Sequence, residues 1–93
     1  MTHTNELTLI VKPGCHLCEE AEAVVTRVLA EFEAERPGIP VALGFKNILD
    51  DPELMARYSE EIPVLLINGR VHNYWRIDAH HLRQALDGLP EPK

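Results

Sequence analysis

Two cysteines three positions apart, Cys15 and Cys18, are the residues in this chain best suited to chemistry. They follow an apolar run that ends at Val11 and a Pro13-Gly14 turn, and they open a long amphipathic pattern. Disulfide exchange needs one thiolate to attack and a second thiol to resolve the mixed disulfide. A Cys-x-x-Cys at a strand–helix junction supplies both. Cys15 lies at the helix entrance, where free N–H groups and the helix dipole accommodate an anion, and is assigned as the nucleophile. Cys18, one turn in and more covered, is assigned as the resolving thiol. Lys12 and a protonated His16 favour a thiolate here, while Glu19 and Glu20 oppose it. Two buried cysteines with no chemistry remain an alternative. So does a metal carrier built on the two thiolates, taking Cu(I), Zn or a shared Fe–S cluster. The five histidines, His3, His16, His72, His80 and His81, offer no second ligand pair at zinc spacing.

The elements that must hold this pair can be read from periodicity. Leu7, Leu9 and Val11 alternate with Thr8, Ile10 and Lys12, apolar on both faces as in a buried central strand. Leu17, Ala21, Val24, Val25, Val28, Leu29 and Phe32 then recur at helical spacing, and Arg36-Pro37-Gly38 ends the helix. Val41, Leu43 and Phe45 form a second strand, completing a βαβ unit with a right-handed crossover. Asp51-Pro52-Glu53 caps a short helix carrying Leu54, Met55 and Tyr58. Val64–Ile67 is a buried strand, Asn68-Gly69 a hairpin turn, and Val71–Trp75 the returning strand, with Val71, Asn73 and Trp75 on one face. Asp78 caps a last helix with Leu82, Ala85, Leu86 and Leu89, closed by Gly88 and Pro90, and Pro92-Lys93 is a tail. The order is β-α-β-α-β-β-α. Trp75 is expected to pack on the last helix; the alternative places Trp75 and Arg76 at the rim of the cysteine site, as an aromatic contact and a carboxylate anchor. His72 reads as an edge-strand polar residue, and His80 and His81 as solvated or partly packed on the last helix.

The chain has 93 residues, 45% hydrophobic and 26% charged, which fits one small globular domain with a core from about residue 6 to 88. A net charge of −6 with no Lys/Arg cluster argues against nucleic acid and anionic membranes as partners. No run reaches transmembrane length, and Met1–Glu6 lacks the features of a secretion signal. A cytoplasmic location follows as an expectation, and cysteines there are kept reduced.

Lys12-x-x-Cys15-x-x-Cys18, then Ile62-Pro63-Val64, then Asn68-Gly69 resembles the glutaredoxin branch of the thioredoxin fold, above all the small bacterial glutaredoxin-like proteins with His after the first cysteine. The resemblance runs from about Glu6 to Gly88. It implies an α/β thioredoxin-like fold, with a four-stranded mixed sheet in order 2-1-3-4 flanked by three helices. The first and last helices would cover one face and the short helix the other. It implies thiol–disulfide oxidoreductase activity on protein or glutathione mixed disulfides. It also implies a cis Pro63 that turns the Ile62 backbone toward an extended substrate, a Lys12 that pairs with a glutathione carboxylate, and an Asp78 that could hold the glutathione amine. No bound cofactor is implied. Glutathione is a candidate co-substrate, a reductase the electron donor, and a monomer the expected state. The chain departs from the family in His16-Leu17 for Pro-Tyr, in Glu61-Ile62-Pro63 for Thr-Val-Pro, and in Asn73–Asp78 for the Gly-Gly and paired Asp before the last helix, where only Asp78 could stand in. Glu61 adds negative charge where an anionic tripeptide would lie. A glutathione, a protein-disulfide and a noncatalytic redox-sensing role stay open at this point.

Overall fold

The computed structural model describes residues 4–89. In chain order these form β1 (Asn5–Val11), α1 (His16–Glu35), β2 (Val41–Asn47), a 3-10 turn (Ile48–Asp50), α2 (Pro52–Tyr58), β3 (Val64–Ile67), β4 (Arg70–Tyr74) and α3 (Ala79–Asp87). The sheet order is β2-β1-β3-β4. β1 and β2 are parallel, from Asn5 opposite Val41 to Val11 opposite Asn47, while β3 runs antiparallel to both β1 and β4. The architecture and sheet order are those expected from the sequence and its resemblance. Pro90 and the Pro92-Lys93 tail lie outside the described residues, as do Met1, Thr2 and His3.

The apolar periodicities explain the layers. Leu7, Leu9 and Leu65 of the sheet meet Val25, Val28 and Phe32 of α1 and Leu82 and Leu86 of α3 in the larger core. On the opposite face Ile10 and Val64 join Ile48, covered in part by Leu54, Met55 and Tyr58 of α2. β1 therefore buries side chains on both faces, as its unbroken apolar run requires. At the far end of α1, Arg83 of α3 makes a two-pronged pair with Glu35, at 3.0 and 3.1 Å, and also reaches Asp87. The Arg83 guanidinium holds the Glu35 carboxyl below the usual carboxylate range.

The turn residues behave as their types demand. Asn68 (φ 51°) and Gly69 (φ 83°) both take left-handed conformations in a two-residue hairpin. The Asn68 side chain accepts from the Glu6 N–H at 2.8 Å and donates to the buried Asn5 side chain at 3.1 Å, tying the hairpin to β1.

β4 departs from simple alternation. Leu65 pairs with Asn73 and Leu66 with Val71, so His72 is an extra residue in the ladder. A bulge of this kind shifts the side-chain alternation by one. Val71 and Asn73 therefore fall on opposite faces, not the same face. The His72 ring stacks on His81 of α3 with centroids 4.4 Å apart, and its buried Nε2 has no hydrogen-bond partner. Burial, with His81 beside it, lowers the His72 pKa. His72 is thus packed between β4 and α3, beyond the edge-strand role expected of it. β4 ends at Tyr74, and Trp75 lies outside it with φ 63°.

Candidate functional site

The strand-to-helix turn sets the two cysteines in different surroundings. Gly14 takes φ 74°, which a glycine accepts without steric cost, and turns the chain from β1 into α1. Cys15 is the N-cap of α1. Its Sγ accepts the backbone N–H of Cys18 at 3.1 Å, and its carbonyl accepts the N–H of Glu19. The sulfur thus occupies the place that a Ser or Asp oxygen takes at an ordinary N-cap, where negative charge is accommodated. Both thiols are free. Cys15 is half-buried, whereas Cys18 is only 4% exposed. Burial pushes the Cys18 thiol up from its ordinary value to about 11, helped by its interaction with Cys15 and opposed by the Lys12 backbone N–H and charge.

Two clefts meet at Cys15. One, of about 270 Å³, is lined by Lys12, Gly14, Cys15 and Cys18 together with Glu19, Glu22 and Asn47. The other, of about 290 Å³, lies on the side of β3 and is lined by Lys12, Gly14, Cys15, Ser59, Glu60 and Ile62. Lys12 borders both. The Ile62–Pro63 peptide bond is cis, Pro63 is buried, and the Ile62 amide and carbonyl make no backbone hydrogen bond to other described residues. Another groove, of about 470 Å³, runs between α1 and the segment before α3, with Leu17, Ala21, Val24 and Ile77 in its wall and Arg76 and Glu20 beside them.

The structure brings Lys12, Cys15, Cys18 and Ile62 together, with Pro63 next in the chain. His16 points outward, its side chain 98% exposed and 3.8 Å from Glu19. Asp78 lines neither Cys15 cleft. Its carboxylate caps α3 by accepting the His81 N–H at 2.9 Å, and that hydrogen bond holds its carboxyl below the usual range. Arg76 is 3.8 Å from Glu20 across the groove.

Trp75 corrects the expectation that it packs on the last helix. Its indole N–H donates to the Glu60 carbonyl at 3.0 Å, and its backbone N–H to the Pro63 carbonyl at 2.8 Å. It is therefore tied to Glu60, a wall residue of the second cleft. Ser59 and Glu60 of that cleft, and Asn47 of the first, were not singled out from sequence. The Asp51 cap and the Ile62-Pro63 pair were the signals bracketing the first two. Among the described residues, no cluster of three or more His, Cys, Asp or Glu side chains could hold a metal ion, and no helix is long and apolar enough to cross a membrane.

Comparison with known proteins now adds to this geometry. A family model described as Glutaredoxin-like domain (DUF836) matches residues 6–87. The chain belongs to this glutaredoxin-like family. It is 28% identical over 78 residues to uncharacterized proteins of Mycobacterium tuberculosis and Mycobacterium bovis, covering 84% of this chain and 78% of theirs. A crystal structure of a structural-genomics target protein from Xanthomonas campestris is 33% identical, with a TM-score of 0.69 over 90% of this chain and 99% of that one. A malaria-parasite thioredoxin-2 shares the fold at 17% identity, with a TM-score of 0.64 over 96% of this chain and 86% of that one.

Proposed function

We propose that this glutaredoxin-like protein is a thiol–disulfide oxidoreductase that reduces disulfides through Cys15 and Cys18. The observation that carries the reading is the contrast within one helical turn. Cys15 is accessible at the junction of two clefts with its sulfur receiving an N–H, and Cys18 is buried with its thiol pushed up to about 11. At neutral pH Cys18 keeps its proton, so Cys15 begins the reaction. The Cys15 thiolate attacks one sulfur of the substrate disulfide. A Cys15–substrate bond forms, the substrate bond breaks, and the leaving thiolate takes a proton from solvent. Cys18, deprotonated as it attacks, then displaces the substrate from Cys15, which leaves as its second thiol. The Cys15–Cys18 disulfide that remains is reduced by two electrons from an external thiol donor, either glutathione or a dithiol reductase.

The Ile62 amide and carbonyl, which make no backbone hydrogen bond among the described residues, support this reading, since they can offer one antiparallel rung to an extended substrate. Lys12 supplies a positive charge at the mouth of both clefts. A cytoplasmic setting, where thiols stay reduced, is part of the proposal.

Turnover of insulin disulfides and of a glutathione mixed disulfide tests it in the wild type, Cys15→Ser and Cys18→Ser. Cys15→Ser is expected to lose both reactions, and Cys18→Ser to lose the protein reaction. A wild type with no dithiol turnover that retains stoichiometric Cu(I) or Zn(II) on purification would be a metal carrier instead.

A further inference from the structure

Trp75 occupies a position that the fold itself does not explain. It lies beyond β4, in the left-handed backbone region that favours glycine, and is 51% exposed. Nonetheless both of its N–H groups are used. They grip the two ends of Glu60–Pro63, the segment that walls the Cys15 cleft. Tyr74 meets the indole edge-on with centroids 5.0 Å apart. Residues held in sparsely populated backbone regions concentrate at functional sites. Here the strained residue holds a half-exposed aromatic ring against Glu60, a wall residue of the cleft.

The charges beside it are one-sided. Glu19, Glu22 and Glu60 line the two clefts, and Lys12 is their one cation among the described residues. Arg76, the next residue, is offset by Glu20 at 3.8 Å. Of Glu60, the Trp75 indole takes the backbone carbonyl and not the carboxylate, which has no hydrogen bond or ion pair among the described residues. A ring face next to a carboxylate receives a guanidinium or ammonium group, through the ring quadrupole and the charge together.

We propose that Trp75 and Glu60 form the specificity subsite of the Cys15 reaction, and that its substrate class is a polypeptide disulfide with Lys or Arg flanking the attacked cysteine. This rests on the oxidoreductase reading above. In the covalent step the Cys15 thiolate forms a bond to the peptide cysteine, and the second sulfur leaves with the bonding electron pair. The peptide's basic side chain lies on Trp75 as its backbone pairs with Ile62.

The test uses the full chain carrying Cys18→Ser, so that the reaction stops at the mixed disulfide. Three cysteine peptides, flanked by Lys, Gln or Glu and each activated as a mixed disulfide with 5-thio-2-nitrobenzoate, are presented to it, and release of the coloured thiolate is timed. Each rate is divided by the same protein's rate with the Gln peptide, so a general change in thiol reactivity cancels. The Lys peptide is expected to react roughly fivefold to tenfold faster than the Gln peptide, and the Glu peptide slower. Glu60→Gln keeps the backbone carbonyl and removes the charge. Trp75→Gly suits the left-handed backbone and removes the ring. Each is expected to bring the Lys ratio close to one. Equal rates with all three peptides, or a Lys ratio that survives both substitutions, overturn the subsite while leaving the oxidoreductase reading in place. No mixed disulfide with any peptide overturns that reading, and the subsite with it.

Discussion

Cys18 is buried one turn below a cysteine that reaches solvent, and this difference has a thermodynamic consequence. In the reduced folded chain the Cys18 thiol keeps its proton up to about 11, against an ordinary value of 9.0. Above pH 9 the unfolded chain releases that proton and the folded chain does not, so the folded state is the one that binds more protons. Its contribution to stability is complete below about pH 9 and is lost as the pH rises through about 11, a loss on the order of 2 kcal/mol. Urea unfolding of the reduced protein between pH 8 and pH 11, wild type against Cys18→Ala, isolates it. Titrations common to both proteins cancel, and the alkaline fall is expected to be shallower in the variant. A wild type and variant with parallel pH profiles would contradict the burial of this thiol. The placement of Cys15 at a helix entrance and of the more covered Cys18 one turn in was legible in the sequence, because a Pro-Gly turn before an amphipathic run marks such an entrance. Trp75 was not. Left-handed backbone is signalled by Gly or Asn, as Asn68-Gly69 signals the hairpin, whereas a Trp after an apolar alternation reads as one more strand residue.

α2 has seven residues, too few to be stable without packing and a cap. Asp51 supplies the cap, its Oδ1 accepting the Glu53 and Leu54 N–H groups at 2.9 and 3.2 Å. The helix leads directly into Ser59 and Glu60 of the Cys15 cleft, so this cap stabilises the cleft wall as well as the smaller core. Asp51→Ala is expected to cost about 1 kcal/mol in urea unfolding, with Asp51→Ser recovering most of it. An Ala variant as stable as the wild type would mean that α2 is held by packing alone. This cap was legible because Asp-Pro-Glu carries it in three consecutive residues. The 3-10 turn after β2 was not, since it depends on Asn47 accepting the Leu49 N–H at 2.9 Å, and Lys46-Asn47 breaks the apolar alternation that marks a strand. The bulge at His72 was hidden for a related reason. An extra residue leaves the composition of a strand unchanged and alters only which face each side chain takes.

At the scale of the whole molecule, periodicity together with turn and cap signals gave the succession of strands and α-helices, and the resemblance supplied the sheet order, because pairing between β1 and β3 joins segments that no local signal connects. That pairing brings Ile62 to Cys15 and makes the cleft a property of the whole sheet. The same closure gathers charge. With 15 acidic and 9 basic residues the chain is −6, and Glu19, Glu22 and Glu60 put part of that excess at the two clefts. Long-range steering by this field is separate from any contact with Trp75, and salt reveals it, since screening length falls from about 30 Å at 0.01 M to about 10 Å at 0.1 M. Two small disulfides that lack peptide flanks, anionic oxidised glutathione and cationic cystamine, are suited to the measurement on Cys18→Ser protein. As salt rises from about 10 mM to about 0.5 M, attack on oxidised glutathione is expected to accelerate and attack on cystamine to slow, each several-fold. Slopes of those signs would locate the preference for cations in the field of the folded chain. The reverse pair, oxidised glutathione slowing and cystamine accelerating, would show that Lys12, at the mouth of both clefts, outweighs the surrounding carboxylates, and would turn the substrate argument toward anionic disulfides.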